Sequence, residues 1–496
     1  MPETLSDMAI RELVDVRLLP DAALLDGRWI QADNDDRFDV DNPATGSVIA
    51  HVPALGVNEC RRAIDAAHAA QPAWARLTAG KRARVLRRWA ELIVAHKDHL
   101  ARILTYEQGK PLAEATGEVG AAAAFFEWYG EEAKRVYGET IPSPDPSKRI
   151  VVLKEPIGVC VGITPWNFPA AMVARKIAPA LAAGCTFVLK PADQTPLTAL
   201  AMAVLGVEAG VPPGVLNVLT VAPREVDAVG LELTTNPKVG KLTFTGSTAV
   251  GKQLMAQCAS TVKGVSLELG GNAPFIVFDD ADVDAAVRGA ISSKFRNAGQ
   301  ICVAANRFLV ATEVYDEFAG KLAAAAESMV PGPGWEPGSQ VGPLIDNAAV
   351  AKVRGHVEDA LRHGATIVAG GGTTADGRFF EPTVLDNVSP DSLMSRDETF
   401  GPVAGLTRFT TEAEAITMAN DTEYGLAAYF YTAGLARTWR IAEALKFGVV
   451  GINTGMVATE VAPFGGFKES GIGREGSRHG IEEFLEIKYL SVGGIE

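Results

Sequence analysis

The sequence predicts an α/β fold with two doubly wound α/β domains and a small β arm. Its 496 residues exceed the roughly 250–300 residues at which a single hydrophobic core stops growing, so several domains are expected. Short apolar runs alternate with helical patterns in two separate stretches, as in parallel sheets that are covered on both faces. A proline-rich segment, 141–146, and the strand-like segment 149–154 lie before the first of these stretches.

The first alternation of strands and helices begins at Gly158 and ends near Ala259. A helical region from Val57 to Tyr137 precedes it, in which apolar residues recur every three or four positions. The predicted strands are 158–163, 185–189, 215–219 and 241–245, and the predicted helices are 169–183, 197–209 and 248–259.

The second alternation begins at the apolar run 275–278 and continues to about Val450. Its first helix is predicted over 282–297, and a hinge near 268–274 joins the two stretches. The segment 486–492 is predicted to form a final strand.

Composition and charge exclude several classes of function. Hydrophobic residues make up 47% of the chain, which is typical of a folded protein, and the net charge of -14 disfavours nucleic acid and anionic membranes as partners. The one basic cluster, 81–84, is interpreted as a solvated helix face. The N-terminal residues resemble neither a secretory signal nor a transit peptide, and no apolar run is long enough to span a membrane. Five dispersed cysteines and seven histidines lack disulfide or metal-site spacing, so we expect a cytoplasmic protein without a metal.

Candidate nucleotide-binding groups follow two of the predicted strands, although the G-x-G-x-x-G pattern is absent. Lys190 and Asp193 follow the second strand, where an acid can accept hydrogen bonds from ribose hydroxyls. Gly246 and Ser247 lie in a tight turn before a helix, where backbone N–H groups favour a phosphate. From position alone, an ordinary loop pair is the favoured interpretation of Lys190 and Asp193, and helix capping explains the segment with Gly246 and Ser247 almost as well.

Three side chains have the chemistry of an active site. Cys302 lies in a glycine-marked turn, Glu268 interrupts an apolar strand-like run before two glycines, and Asn167 follows the first strand. They can serve as nucleophile, general base and oxyanion donor. The alternatives are a buried structural thiol for Cys302, a salt-bridged carboxylate for Glu268 and a helix N-cap for Asn167.

Seven motifs, in this order along the chain, resemble the NAD(P)-dependent aldehyde dehydrogenase superfamily from about residue 25 to the C-terminus. Each motif is modest alone, and their common order makes chance similarity improbable. The motifs are Pro165-Trp-Asn-Phe-Pro169, Lys190-Pro191, Phe244-Thr-Gly-Ser247, Glu268-Leu-Gly-Gly271, Gly299-Gln-Ile-Cys302, Glu398-Thr-Phe-Gly-Pro402 and Pro463-Phe-Gly-Gly466.

The resemblance implies a mechanism. The Cys302 thiolate attacks the aldehyde, the Asn167 amide and the Cys302 N–H hold the oxyanion, hydride passes to nicotinamide, and Glu268 activates the water that hydrolyses the thioester. Lys176 and Glu475 match positions that assist a proton path. The implied coenzyme residues are Ile163, Thr164, Pro165, Trp166, Lys190, Ala192, Asp193, Gly246, Ser247, Glu398 and Phe400. Because Asp193 would repel a 2′-phosphate, NAD is expected in preference to NADP.

Within the superfamily, the pattern is most similar to the succinate-semialdehyde dehydrogenase subgroup. In that subgroup, arginines that match Arg175 and Arg296 hold the distal carboxylate of the substrate, since two guanidinium groups can bind one carboxylate through charge-assisted hydrogen bonds. Solvated helix positions are the alternative for both arginines. The implied substrate-binding residues are Arg175, Arg296, Ala458, Thr459 and Phe467.

The sequence departs from this subgroup at two positions. Ala304 replaces a second cysteine, so no disulfide switch is expected beside Cys302. Ala458 replaces a serine of the carboxylate site, which makes glutarate semialdehyde or 2-oxoglutarate semialdehyde an alternative substrate. Apolar, aromatic and betaine aldehydes, for which aromatic side chains are needed, are less favoured than an aldehyde with a distal carboxylate. A non-catalytic protein and a CoA-acylating enzyme are disfavoured by the intact set of Cys302, Glu268 and Asn167.

The resemblance also predicts the division of the chain. A Rossmann-like coenzyme-binding domain comprises 1–140 and 155–268, and the catalytic domain comprises 269–462. Segments 141–154 and 484–496 are the expected oligomerisation strands, which implies a homodimer or homotetramer.

Overall fold

The computed structural model describes residues 9–374 and 377–495. The outermost residues of two predicted segments, namely 1–8 of the coenzyme-binding domain and residue 496 of the second oligomerisation strand, lie outside the described residues. Residues 375–376 within the predicted catalytic domain do so as well.

The described residues form three main sheets and a hairpin, with helices packed on the two large sheets. The helices are α1 (Ala9–Leu13), α2 (Val57–Ala75), α3 (Ala79–Ala95), α4 (Lys97–Gln108), α5 (Leu112–Glu132), α6 (Pro169–Ala183), α7 (Pro196–Glu208), α8 (Val226–Thr235), α9 (Thr248–Cys258), α10 (Val283–Lys294), α11 (Tyr315–Glu327), α12 (Asn347–Arg362), α13 (Leu393–Arg396), α14 (Glu412–Asn420), α15 (Leu435–Ala444) and α16 (Ser477–Glu482). The strands are β1 (Ala23–Leu25), β2 (Arg28–Ile30), β3 (Arg37–Asp41), β4 (Val48–Pro53), β5 (Glu139–Ile141), β6 (Arg149–Pro156), β7 (Val159–Ile163), β8 (Thr186–Lys190), β9 (Leu216–Val218), β10 (Val239–Thr245), β11 (Gly264–Glu268), β12 (Ala273–Val277), β13 (Ala305–Ala311), β14 (Thr366–Ala369), β15 (Thr383–Asp386), β16 (Val403–Phe409), β17 (Ala427–Tyr431), β18 (Val449–Ile452), β19 (Gly471–Ile472) and β20 (Leu485–Val492).

The first sheet has the order β19-β11-β10-β7-β8-β9-β1-β2, and its central strands are parallel. Helices cover both faces, which explains why β7 and β8 are apolar over nearly their whole length. Helix α6 has Pro169 in its first turn and is followed by Gly184 in the left-handed region, and its bounds match the predicted helix 169–183. The doubly wound α/β prediction is confirmed.

The second large sheet has the order β14-β15-β16-β13-β12-β17-β18 and is parallel except at β14. The chain crosses into it at 269–272, directly after β11, where the hinge was predicted. The carboxyl end of β11 therefore lies where the chain passes from one sheet to the next.

A third sheet pairs β20 with β6 and β6 with β5, all antiparallel. Ile487 and Tyr489 of β20 are exposed, so this arm presents apolar side chains at the surface. Apart from β19, the strands of the first sheet lie within the predicted coenzyme-binding domain, and those of the second lie within the predicted catalytic domain. The division into domains itself stays a prediction.

Several features differ from the sequence-based expectations. Antiparallel strands β1, β2 and β19 extend the first sheet, and each is too short to produce a periodic pattern. Arg82, which was assigned to a solvated face, is buried. Its guanidinium donates to the carbonyls of Leu77 and Ala182, and these hydrogen bonds satisfy its buried donors.

The predicted helix 282–297 ends early, at Lys294, and continues as a 3₁₀ turn over Arg296–Gly299. Asn297 and Ala298 adopt left-handed backbone conformations there, with φ of 50° and 53°. Such conformations are unfavourable for alanine and point to a constraint imposed by the surroundings. Within the described ranges, no helix is long and apolar enough to cross a membrane.

Candidate active site

Cys302 lies between two cavities, in the segment that joins the 3₁₀ turn to β13. One cavity of about 360 Å³ opens on the side of α5 and α6, and we call it the substrate chamber. The other, of about 410 Å³, lies beside α9 and α12, and we call it the coenzyme cavity. Burial, and next the charge of Glu398, raise the pKa of the Cys302 thiol to about 12. The thiol can therefore meet molecules that enter from either side.

Glu268 is the last residue of β11, paired with Thr245 on one side and Gly471 on the other. Its side chain is buried, and its Oε2 atom has no hydrogen-bond partner. Burial, followed by the charge of Glu475, raises the pKa of Glu268 well above its ordinary value. A carboxyl with a free oxygen and a raised pKa is suited to accept a proton.

Asn167 lies in the loop between β7 and α6 and is almost fully buried. Its Nδ2 donates to the carbonyl of Gln300 at 2.9 Å, which ties it to the segment that carries Cys302. The N-cap of α6 is Phe168, and no side-chain cap bond is formed there. Asn167 therefore does not cap helix α6. Its Nδ2 atom carries two hydrogens, and the bond to Gln300 uses one of them, so the other can donate to a second acceptor.

A buried ionic cluster lies behind these residues. Oε1 of Glu475 is 2.6 Å from Nζ of Lys176, and Oε2 is 2.9 Å from Nε of Arg175. Lys176 also donates to the Thr243 hydroxyl at 3.1 Å. Burial opposes the ionisation of Glu475, but Lys176 and then Arg175 outweigh it and hold the pKa of Glu475 below its ordinary value. The structure therefore joins a residue predicted to bind substrate with two predicted for a proton path.

The substrate chamber contains both predicted arginines. Arg175 stacks on Phe464, with 4.1 Å between the guanidinium carbon and the ring centroid. Arg296 contacts the thioether of Met456 at 3.0 Å. Buried nitrogen atoms without a hydrogen-bond partner remain on both arginines, Nη2 on Arg175 and Nε on Arg296. Such atoms are costly unless an anion or water satisfies them.

Ala458 and Thr459 also line the substrate chamber, whereas Phe467 does not. Phe467 is 42% exposed, its N–H donates to the Gly425 carbonyl, and its ring faces Arg474. Phe464, three residues earlier in the same loop, takes the chamber position. Sequence spacing within the loop did not reveal which of the two phenylalanines faces inwards.

Six of the predicted coenzyme residues line the coenzyme cavity. Trp166 and Phe400 meet edge to face with ring centroids 5.6 Å apart, and Oε1 of Glu398 accepts the Gly271 N–H at 3.1 Å. Burial raises the pKa of Glu398 to about 7. A Cβ atom on Gly270 would lie 3.0 Å from Oε2 of Glu398, so a larger residue there would force this carboxylate to shift by a few tenths of an ångström. The six residues are Pro165, Trp166, Gly246, Ser247, Glu398 and Phe400.

The other predicted coenzyme residues lie at the carboxyl ends of β7 and β8, outside the lining of this cavity. Ile163 pairs with Lys190 in the strand register, and the Thr164 N–H donates to the Lys190 carbonyl at 3.2 Å. Burial lowers the pKa of Lys190, while Asp193 opposes this effect. Ala192 is buried beside them and Asp193 is half-buried. In a doubly wound sheet, ligands bind at this carboxyl edge of the strands, where the adenosine end of a dinucleotide is expected.

Several residues that fix the site were missed by sequence reasoning. Lys110 and Glu118 form a buried ion pair beside Asn167, and Asn297 and Gln300 complete a network of buried polar groups around the same loop. Residues 297–299 all have left-handed backbone conformations, which mark this loop as unusual, but these conformations are visible only in the structure and not in the sequence. Across the described ranges, no group of histidine, cysteine and carboxylate side chains could hold a metal ion.

Known proteins resemble this chain over nearly its whole length. The model of the Aldehyde dehydrogenase family matches residues 29–490. A glutarate-semialdehyde dehydrogenase of Pseudomonas aeruginosa is 60% identical over 98% of this chain and 100% of its own length. The succinate-semialdehyde dehydrogenase [NADP(+)] GabD of Escherichia coli is 58% identical over 97% and 100%. The crystal structure of succinate-semialdehyde dehydrogenase from Burkholderia pseudomallei has a TM-score of 0.95 at 59% identity, covering 97% of this chain and 99% of that one.

Proposed function

Because the chain belongs to the aldehyde dehydrogenase family, we propose that it oxidises an aldehyde with a distal carboxylate, with succinate semialdehyde as the first choice. The observation that carries this proposal is the pair of arginines in the chamber that ends at Cys302. Both side chains retain buried nitrogen atoms without partners, which a substrate carboxylate would satisfy.

The chain's own residues carry the chemistry in this proposal. The Cys302 sulfur attacks the aldehyde carbon, and the Asn167 amide and the Cys302 N–H stabilise the negative oxygen that forms. When a nicotinamide coenzyme is bound, it would supply the hydride acceptor for this oxidation, in which the carbon attached to Cys302 reaches the oxidation level of a thioester. Glu268 then takes a proton from water, whose oxygen attacks the thioester and releases the carboxylic acid and the Cys302 thiolate. Lys176 and Glu475 relay the proton from Glu268 towards solvent.

The family uses NAD(P), and we propose NAD as the preferred coenzyme. Glu398 and Phe400 would hold the nicotinamide ribose and ring, Trp166 would line the coenzyme path, and Gly246 and Ser247 would approach the phosphates. The edge of β7 and β8 would hold the adenosine, where the carboxylate of Asp193 repels a 2′-phosphate.

Replacement of Asp193 by serine is expected to relax coenzyme choice, because it removes a negative charge where the 2′-phosphate would lie. The ratio of kcat/KM for NAD to that for NADP should fall by about tenfold or more, equivalent to about 1.4 kcal/mol. Steady-state rates with both coenzymes measure this ratio. A preference for NADP in the unmodified enzyme would contradict the assignment of Asp193.

Glutarate semialdehyde is the second candidate substrate, and one feature of the chamber favours it. Ala458 offers no hydroxyl to the substrate carboxylate, which leaves space for a chain one carbon longer. The Pseudomonas aeruginosa relative is named for that substrate. A comparison of kcat/KM for the two semialdehydes decides between them.

Replacement of Arg296 by methionine is expected to raise KM for succinate semialdehyde by roughly 10- to 100-fold, the value of one or two charge-assisted hydrogen bonds. The rate with butanal, which has the same chain length and no carboxylate, should change little. Arg288→Met, at an exposed position on the preceding helix α10, is the matched control. Equal losses with both aldehydes would show that Arg296 does not recognise the carboxylate.

We also propose that the third sheet joins copies of this chain into a homodimer or homotetramer. Exposed apolar side chains on β20, among them Ile487 and Tyr489, support an interface there. The first large sheet would form the centre of the coenzyme-binding domain (1–140 and 155–268), and the second that of the catalytic domain (269–462). Sedimentation of the intact protein and of a variant with charged residues at 487 and 489 tests the interface.

A further inference from the structure

A second buried ion pair, outside the residues assigned above, lies against the loop that carries Asn167. Nζ of Lys110 is 2.5 Å from Oε2 of Glu118, and the two side chains are 0% and 2% exposed. Lys110 follows α4, and Glu118 lies on α5, next to the substrate chamber. Burial lowers the pKa of Lys110, and the charge of Glu118 opposes that shift.

The Lys110 ammonium also binds the main chain of Asn167. Its Nζ donates to the Asn167 carbonyl at 2.8 Å, and the Asn297 amide donates to the same oxygen at 2.9 Å. With Nδ2 of Asn167 on the Gln300 carbonyl, both ends of this residue are held by buried donors or acceptors. The orientation of the Asn167 amide therefore depends on where Lys110 holds its carbonyl.

Glu118 extends the same contact to the start of helix α6. Its Oε1 accepts the N–H groups of Ala170 and Ala171 at 2.9 and 3.2 Å, close to the positive end of the helix dipole. The Lys110 ammonium lies 3.8 Å from the centroid of the Phe168 ring. One ion pair thus fixes the peptide units on both sides of Phe168.

Stability alone is a weak reason for such a pair. Taking two charges out of water costs several kcal/mol for each ion in general, and apolar residues of the same volume are often equally stable. The pair is justified more directly by the geometry that it imposes, because a misplacement of about 1 Å at a reacting group can cost about 100-fold in rate.

We propose that Lys110, held by Glu118, is a positioning residue that aims the Asn167 amide at the oxyanion. It touches neither substrate nor coenzyme and acts through the Asn167 carbonyl. This inference rests on the role assigned to Asn167 in the proposed function, but it does not depend on which aldehyde is oxidised.

A double-mutant cycle between Lys110→Met and Asn167→Ala tests this inference. The reaction followed is hydrolysis of 4-nitrophenyl acetate, in which Cys302 attack also forms an oxyanion, with neither coenzyme nor a distal carboxylate required. We expect Lys110→Met to lower the acylation rate by about 10- to 100-fold in the otherwise unmodified enzyme. In the Asn167→Ala enzyme the same change should cost less than about twofold.

Two further variants separate positioning from loss of folding. Lys110→Met combined with Glu118→Gln removes both charges together, so no unpaired buried charge is left, and the same loss of acylation is expected. Lys241→Met breaks another lysine–glutamate pair, in which the buried Lys241 lies 3.1 Å from a partly exposed Glu483, away from both cavities, and should leave acylation unchanged.

Two results would overturn the inference. One is an undiminished acylation rate in the folded charge-free double variant. The other is a loss from Lys110→Met that is as large in the Asn167→Ala enzyme as in the original. Because 4-nitrophenyl acetate carries no free carboxylate, the double-mutant cycle can support or overturn the role of Lys110 even if succinate semialdehyde is not the substrate.

Discussion

Replacement of Cys302 by alanine should abolish aldehyde oxidation, with a loss of at least about 10⁴-fold in kcat. No other described cysteine lines either cavity, and the remaining four are buried. Without the sulfur, no hemithioacetal forms, so there is no tetrahedral carbon from which hydride can be transferred. NADH formation, followed by its absorbance, measures the loss.

Cys60→Ala is the matched control for this variant. Cys60 is fully buried in α2, away from both cavities, so its change should leave kcat within about twofold while lowering stability slightly. Oxidation of succinate semialdehyde by a folded Cys302→Ala protein at more than a few per cent of the original rate would rule out the sulfur as the nucleophile.

Replacement of Glu268 by glutamine should separate the two halves of the reaction. Attack by Cys302 and loss of hydride should continue, so that about one NADH per active site appears in a rapid burst. Turnover should then fall by about 10²- to 10⁴-fold, because the amide cannot take a proton from water. Stopped-flow NADH absorbance measures both phases. Loss of the burst together with turnover would show that Glu268 acts before thioester hydrolysis.

The same carboxyl predicts the pH dependence of turnover. Burial and the charge of Glu475 raise the pKa of Glu268, so a larger fraction of this group is protonated near neutral pH than for an ordinary glutamate. Only the ionised form is a base, and kcat should therefore rise with pH as Glu268 loses its proton. In the Glu268→Gln enzyme this rise should be absent from the hydrolysis step. A pH profile of the unmodified enzyme that falls over the same range would contradict the assignment.

Much of the fold could be predicted because the central strands are covered on both faces. Helix α6 has the predicted bounds, 169–183, and β7, β8 and β10 lie within two residues of theirs. The short edge strands could not be predicted, since their two or three residues pair only after the sheet has formed. Tertiary contacts decide such elements, and no local pattern encodes them.

The candidate site was predicted unevenly for a physical reason. Cys302, Glu268 and Asn167 stand in motifs whose residue types are chemically specific, and the structure brings Cys302 to the meeting point of two cavities. Lys110 and Glu118 occur in an ordinary helical region, where charged residues usually face water. Only the packing of α5 against α4 and α6 shows that they are buried. The same ambiguity led to the wrong assignment of Arg82.

The central claim is that this aldehyde dehydrogenase recognises a carboxylate at the far end of its substrate. The most direct test is the ratio of kcat/KM for succinate semialdehyde to that for butanal, measured with NAD on the unmodified enzyme. The two arginines predict a ratio of about 100 or more, which corresponds to about 2.7 kcal/mol of added transition-state binding. A ratio near or below one would contradict the claim.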